Sequence, residues 1–143
     1  CQIGGQYEQL GMTTLQVSSS GWTLLGWRSR DDQRTLRSVE LQWADQSQLY
    51  NTILEFPFWE ASPARRDRQG DETNVHLRLS DRQKAIYSAV HFWDTEMDQF
   101  PHLKPMMKII CELIDGIGGG DIPTLLDDAI DGHRQAARRY RAE

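Results

Sequence analysis

Residues 89–102 read AVHFWDTEMDQFPH, and the period assigned to them decides the fold. Taken with the residues just before, Ile86, Ala89, Val90, Trp93, Met97 and Phe100 recur at i, i+3 and i+4 steps. That spacing predicts an amphipathic helix over 81–100, capped by Ser80 or Asp81 and ended by Pro101. At about 100° per residue, Tyr87, His91, Asp94 and Asp98 share one flank beside the apolar stripe. A histidine with carboxylates three and seven positions further on supplies three ligands for a hard or borderline cation, or a base with its orienting acid. His91, Asp94 and Asp98 are therefore the candidate metal site. The competing account is simpler: a polar flank beside a core stripe is what any surface helix presents, and no second ligand cluster reinforces this one.

Toward the C-terminus, a second helix is expected to open at Pro105. Met106, Ile109, Ile110, Leu113, Ile114 and Ile117 form its broad buried face, and Cys111 reads as a plain buried thiol. The GIGGG run at 116–120 ends it, with Gly116 or Gly118 free to turn left-handed. A third helix is expected to start near Asp121. Asp127, Asp128 and Asp131 occupy its first half and Arg134, Arg138, Arg139 and Arg141 its last turns, an order that complements the helix dipole. His133, on the apolar side of that helix, reads as a packed histidine.

Upstream, TTLQV (13–17), GWTLLGW (21–27), RSVELQW (37–43) and NVHLRLS (74–80) alternate as half-buried antiparallel strands do. Val39, Leu41 and Trp43 are placed on one face of the third; Val75, Leu77 and Leu79 face inward on the fourth, with His76 outward. Residues 45–58 mix two periods. Leu49, Tyr50, Ile53 and Leu54 are helically spaced, with Asp45 or Ser47 as cap, whereas Leu54, Phe56 and Phe58 alternate. A short helix passing into an edge strand is expected there, followed by a polar loop over 61–73.

The resulting expectation is an α+β fold: an antiparallel sheet of about four strands in the N-terminal half, packed against three C-terminal helices. It forms one domain over 12–143. Residues 1–11 are read as lying outside it, either a disordered or leftover segment before Met12 or, with Cys1 lipidated, an anchor.

Composition narrows the function. The chain of 143 residues has a net charge of −5, is 38% hydrophobic and 26% charged, and so is long and apolar enough to bury a core. The acidic balance argues against nucleic acid as a partner, despite the basic stretches PARRDRQGD (63–71) and RRYR (138–141) near Trp59 and Tyr140. No window approaches about 18 unbroken apolar residues, so no membrane span is expected. Cys1 and Cys111 make no C-x-x-C pair, and VSSSGW lacks a nucleophile elbow. GIGGGD follows a helix and has no lysine, which makes a poor phosphate loop. No cofactor is expected.

A protein-binding module ranks first: an inhibitor, immunity protein or adaptor meeting another, basic protein through an acidic, tryptophan-bearing surface. Trp59, Glu96, Asp127, Asp128 and Asp131 are its candidate contacts, and homo-oligomerisation is compatible with it. A small metal-binding or acid–base enzyme at His91, Asp94 and Asp98 is the alternative. So is a small-molecule pocket lined by Trp22, Trp27, Trp43 and Trp93. The expected location is cytoplasmic unless Cys1 carries lipid.

Overall fold

Gln2–Gly4 (β1), Met12–Val17 (β2), Trp22–Arg28 (β3), Arg34–Glu40 (β4), Asn74–Asp81 (β5) and Ile86–Trp93 (β6) pair antiparallel into one sheet, ordered β4-β3-β2-β1-β5-β6. The computed structural model describes residues 1–4, 11–69, 72–81, 83–119 and 122. Two α-helices, Trp43–Glu55 (α1) and Leu103–Gly118 (α2), pack on the face of the sheet that carries Ile3, Leu15, Leu25, Val75, Leu77, Val90 and Phe92. Leu49 of α1 and Met106, Met107, Ile110 and Ile114 of α2 complete this core. The fold is α+β, with six strands among the described residues in place of about four. The expected third helix, with Asp127, Asp128, Asp131 and His133, lies outside the described residues.

The largest correction falls on 81–100, which is not a helix. Val75 stands opposite Phe92 and Leu77 opposite Val90, so β6 alternates with period two and sends Ala89, His91 and Trp93 to the other face. Asp81 is not a helix cap either. Its Oδ1 accepts the backbone N–H groups of Gln83 and Lys84 at 3.0 and 3.2 Å, closing a hairpin turn in which Ala85 takes φ 53°. The same short carboxylate serves helix caps and Asx turns, which is why the signal misled. Helical geometry appears only afterwards, as a 3-10 helix over Asp94–Gln99.

The other new strand is β1. It lies between β2 and β5, and beyond it Cys1 exchanges backbone hydrogen bonds with Leu15 at 2.7 and 2.9 Å. Cys1 and Gln2–Gly4 therefore contribute to the middle of the sheet.

Between β2 and β3 the turn is closed by Gly21 N–H donating to the Ser18 carbonyl, with Gly21 at φ 86°, a conformation glycine adopts without penalty. The third strand runs 34–40 rather than 37–43. Leu41 N–H makes its last rung to the Gly21 carbonyl, and the Gln46 side chain then bonds the Leu41 carbonyl at 2.7 Å, starting α1. Trp43 thus opens a helix and is 78% exposed. No side chain caps α1; Asp45 lies in its first turn, where the dipole favours a negative charge.

The edge strand expected over 54–58 is absent. Pro57, which has no N–H to donate, leads into a 3-10 turn over Phe58–Glu60, and Phe58 plugs the core instead. α2 begins two residues before Pro105, which sits in the first turn where no intrahelical N–H is needed. Its left-handed cap is Gly119, at φ 59°, rather than Gly116 or Gly118. Cys111 is buried, as expected.

Candidate functional site

The flank that a helix would have given His91, Asp94 and Asp98 does not form. His91 projects from the outer face of β6, and the two aspartates belong to the 3-10 helix after it. Asp94 Oδ1 is engaged by the backbone N–H groups of Thr73 and Thr95 at 2.9 and 3.0 Å. Burial raises its pKa above the ordinary 3.8, and the nearby Glu72 charge adds to this against those two donors. Asp98 is exposed and pairs with Lys104 at 3.0 Å. Among the described residues no group of three or more His, Cys, Asp or Glu side chains is placed to hold a metal ion.

Glu96, expected as a surface contact, is instead 6% exposed and belongs to a clamp. Arg66 donates through Nη1 and Nη2 to both oxygens of Glu72 at 2.8 and 2.5 Å, and through Nε to Glu96 at 2.8 Å. Glu96 also accepts Trp93 N–H at 3.0 Å; Glu72 accepts Gln69 N–H at 2.7 Å and the Thr95 hydroxyl. The Arg66 guanidinium lies 6.0 Å from the Trp93 ring centroid. The Arg66 hydrogen bonds, helped by Thr95 and Gln69, hold the Glu72 carboxyl at about 2 against the opposing pull of desolvation. Each oxygen of Glu72 accepts two hydrogen bonds, and each oxygen of Glu96 accepts one. They pin the strap of residues 61–69 to the end of β6. In the sequence Arg66 is indistinguishable from Arg65 and Arg68, so nothing local announced the clamp.

Between the strap and the sheet runs a groove of about 310 Å³, lined by Ala61, Pro63, Arg65, His76, Ala89 and His91. His76 and His91 are cross-strand partners with ring centroids 6.1 Å apart, and His91 meets Trp93 edge-on at 5.7 Å. Burial, then the charges of Arg78 and His91, lowers the His76 pKa below its ordinary 6.5. The folded protein resists taking up that proton while the unfolded chain accepts it, so stability falls as pH drops below about 6.5. Urea melts of His76→Gln across this range are expected to show a flatter acid limb than the parent; an unchanged slope would remove His76 as its source.

The four tryptophans do not converge on a pocket. Trp27 shares the core face with its cross-strand partner Thr13, Trp22 and Trp93 point to the opposite face, and Trp43 is exposed on α1. An apolar cavity among Leu15, Leu49, Phe58, Leu77, Met106 and Ile110 has only about 110 Å³, against about 300–1,000 Å³ for small-molecule sites.

What stands open is the outer face of β3 and β4. Trp22 is 53% exposed, Leu36 is 71% exposed, and Leu24 lies between them. Leu36 stands opposite Gly26, which has no side chain to shield it, and Trp22 stands opposite Glu40. Around the sheet end, a cleft of about 430 Å³ is lined by Glu40, Asp45 and Glu112 together with Ile109, Leu113 and Ile117. Trp59 is also half-exposed, with its ring edge-on to Phe58 at 5.3 Å. Asp127, Asp128 and Asp131 lie outside the described residues. Trp22 and Leu24 were legible as strand residues, whereas Leu36 lay outside the strand expected over 37–43, and the exposure of all three depends on which face the helices take. No helix among the described residues is long and apolar enough to cross a membrane. Compared with protein-family models, with curated proteins and with solved structures, the chain finds no match.

Proposed function

We propose that the protein is a non-enzymatic binding module whose partner is another protein, met on the open face of β3 and β4 and the acidic cleft beside it. The observation that carries this reading is the row Trp22, Leu24 and Leu36, apolar side chains left exposed on the face of the sheet opposite the helices. Burying such a row against a partner repays about 25 cal/mol per Å², and an exposed tryptophan is the residue type most often found as an anchor. The carboxylates of Glu40, Asp45 and Glu112 at the cleft favour a partner with a basic rim, in keeping with the net charge of −5. Action by occlusion or bridging, as an inhibitor, immunity protein or adaptor acts, needs nothing more than this surface.

The test is recovery of a stoichiometric partner from the native host, followed by titration with variants. Trp22→Ala and Glu112→Lys are each expected to weaken the complex at least about tenfold while leaving the circular dichroism spectrum unchanged. Recovery of no stoichiometric partner, or affinity indifferent to both substitutions, would sink the reading.

A further inference from the structure

The two edges of the sheet are not alike. Along β6 the Phe58–Glu60 turn packs against the strand. Along β4 no strand pairs with the outer side among the described residues. Which backbone groups β4 offers follows from its hydrogen-bond phase. Ser29 N–H donates to the Gln33 carbonyl and Leu41 N–H to the Gly21 carbonyl, so the odd residues of β4 face β3. In an antiparallel ladder the phase alternates, and Arg34, Leu36, Ser38 and Glu40 therefore direct both N–H and C=O away from the sheet. Their side chains are the exposed ones of the strand.

We propose that this edge pairs with the same edge of a second copy of the chain, antiparallel about a two-fold axis through Arg37. The charge pattern is self-complementary in this register. Arg34 falls opposite the second copy's Glu40, and Glu40 opposite the second copy's Arg34, as an isologous interface requires. Leu36 falls opposite Ser38 and diagonal to its own copy, which covers the most exposed part of the apolar row. Sliding the register by two residues either way loses the end pairs and both charge matches. Every outward N–H and C=O of the strand finds a partner only in the centred arrangement.

Two features of β4 bear on this. An inward-pointing charge commonly discourages edge pairing, and Arg37 is such a charge. Its Nη1, however, donates to the Ile117 carbonyl at 3.1 Å near the C-terminal end of α2, where the helix dipole favours a cation. Each copy thus draws its own Arg37 toward its own helix. Arg34 is held to Asp32 through one N–H at 3.3 Å, which leaves further donors of its guanidinium for a second carboxylate.

The edge shares Leu36 and Glu40 with the proposed partner surface. The two readings are told apart by Glu112→Lys, at a position on α2 that tests the partner alone, and by Ser38→Pro, which tests the edge alone. The experiment is sedimentation equilibrium of the purified 143-residue chain across a micromolar range. The parent is expected to dimerise. Ser38→Pro removes only an outward N–H and is expected to give a folded monomer. Arg34→Glu and Glu40→Arg each set like charges face to face at both ends and are expected to raise the dissociation constant about tenfold, and the double variant to restore it. A parent that stays monomeric overturns the proposal. So does a dimer indifferent to Ser38→Pro, or one that the charge swap fails to restore.

Discussion

Phe92→Ala is expected to lower the free energy of unfolding by about 3–5 kcal/mol in urea titration, the cost of emptying a core site that collapses only partly. Phe92 is 1% exposed and stands opposite Val75 on the core face of β6. Its neighbours by sequence are arranged otherwise. Tyr87 is well exposed on the outer face, and Tyr87→Ala is expected to change stability by no more than about 0.5 kcal/mol. The helical reading of 81–100 left Phe92 off its stripe. The pair of measurements therefore tests the period itself, and a small loss at Phe92 would contradict β6 as a core strand.

The second large effect is expected at Arg66. Arg66→Ala leaves Glu72 and Glu96, each 6% exposed, without the cation that both of them share. Removing one partner of an enclosed charge cluster is far more damaging than never building it. The melting temperature is expected to fall by roughly 10 °C at pH 7. Arg66→Lys is expected to recover little, because an ammonium cannot reproduce the fork that spans both oxygens of Glu72 and reaches Glu96. The pH profile identifies the cause. Glu72 ionises at about 2 in the folded protein against 4.5 ordinarily, so its contribution is complete above about pH 5 and fades as pH falls toward 2. In Arg66→Ala that part of the acid slope should shrink. A variant that melts like the parent, with the parent's acid limb, would show the clamp to be ornamental.

How much of this was legible beforehand depended on whether a local pattern had one meaning or two. α2 was readable because a broad i, i+3, i+4 face of Met106, Ile109, Ile110, Leu113 and Ile114, ended by glycines, has no strand equivalent. β2, β3 and β5 were readable by alternation. β6 was not, because Ala89, Val90 and Trp93 satisfy helical spacing while Val90 and Phe92 satisfy a strand. The arbiter is β5, a partner that no window on 89–102 contains. β1 is three residues long and owes its place entirely to neighbours on both sides. The site followed the same rule. Asp94 and Glu96 were visible as carboxylates, but their occupation by Thr73, Thr95, Trp93 and Arg66 depends on the strap crossing the sheet. Trp22 and Leu24 share a face by alternation, but which face is left open depends on the helices, and Leu36 joins them only because β4 begins at Arg34.

The position of β1 has a consequence for how the chain assembles. The β2–β3–β4 meander and the β5–β6 hairpin each close over short loops, and both can form from contacts local in sequence. Within the sheet, among the described residues, β1 alone pairs with both, Ile3 standing opposite Thr13 on one side and Val75 on the other. The second of these contacts closes the longest loop in the sheet, and closure entropy grows with loop length. Gln2–Gly4 is thus a seam in the sheet, three residues whose rungs on either side join two groups of strands that are each local in sequence.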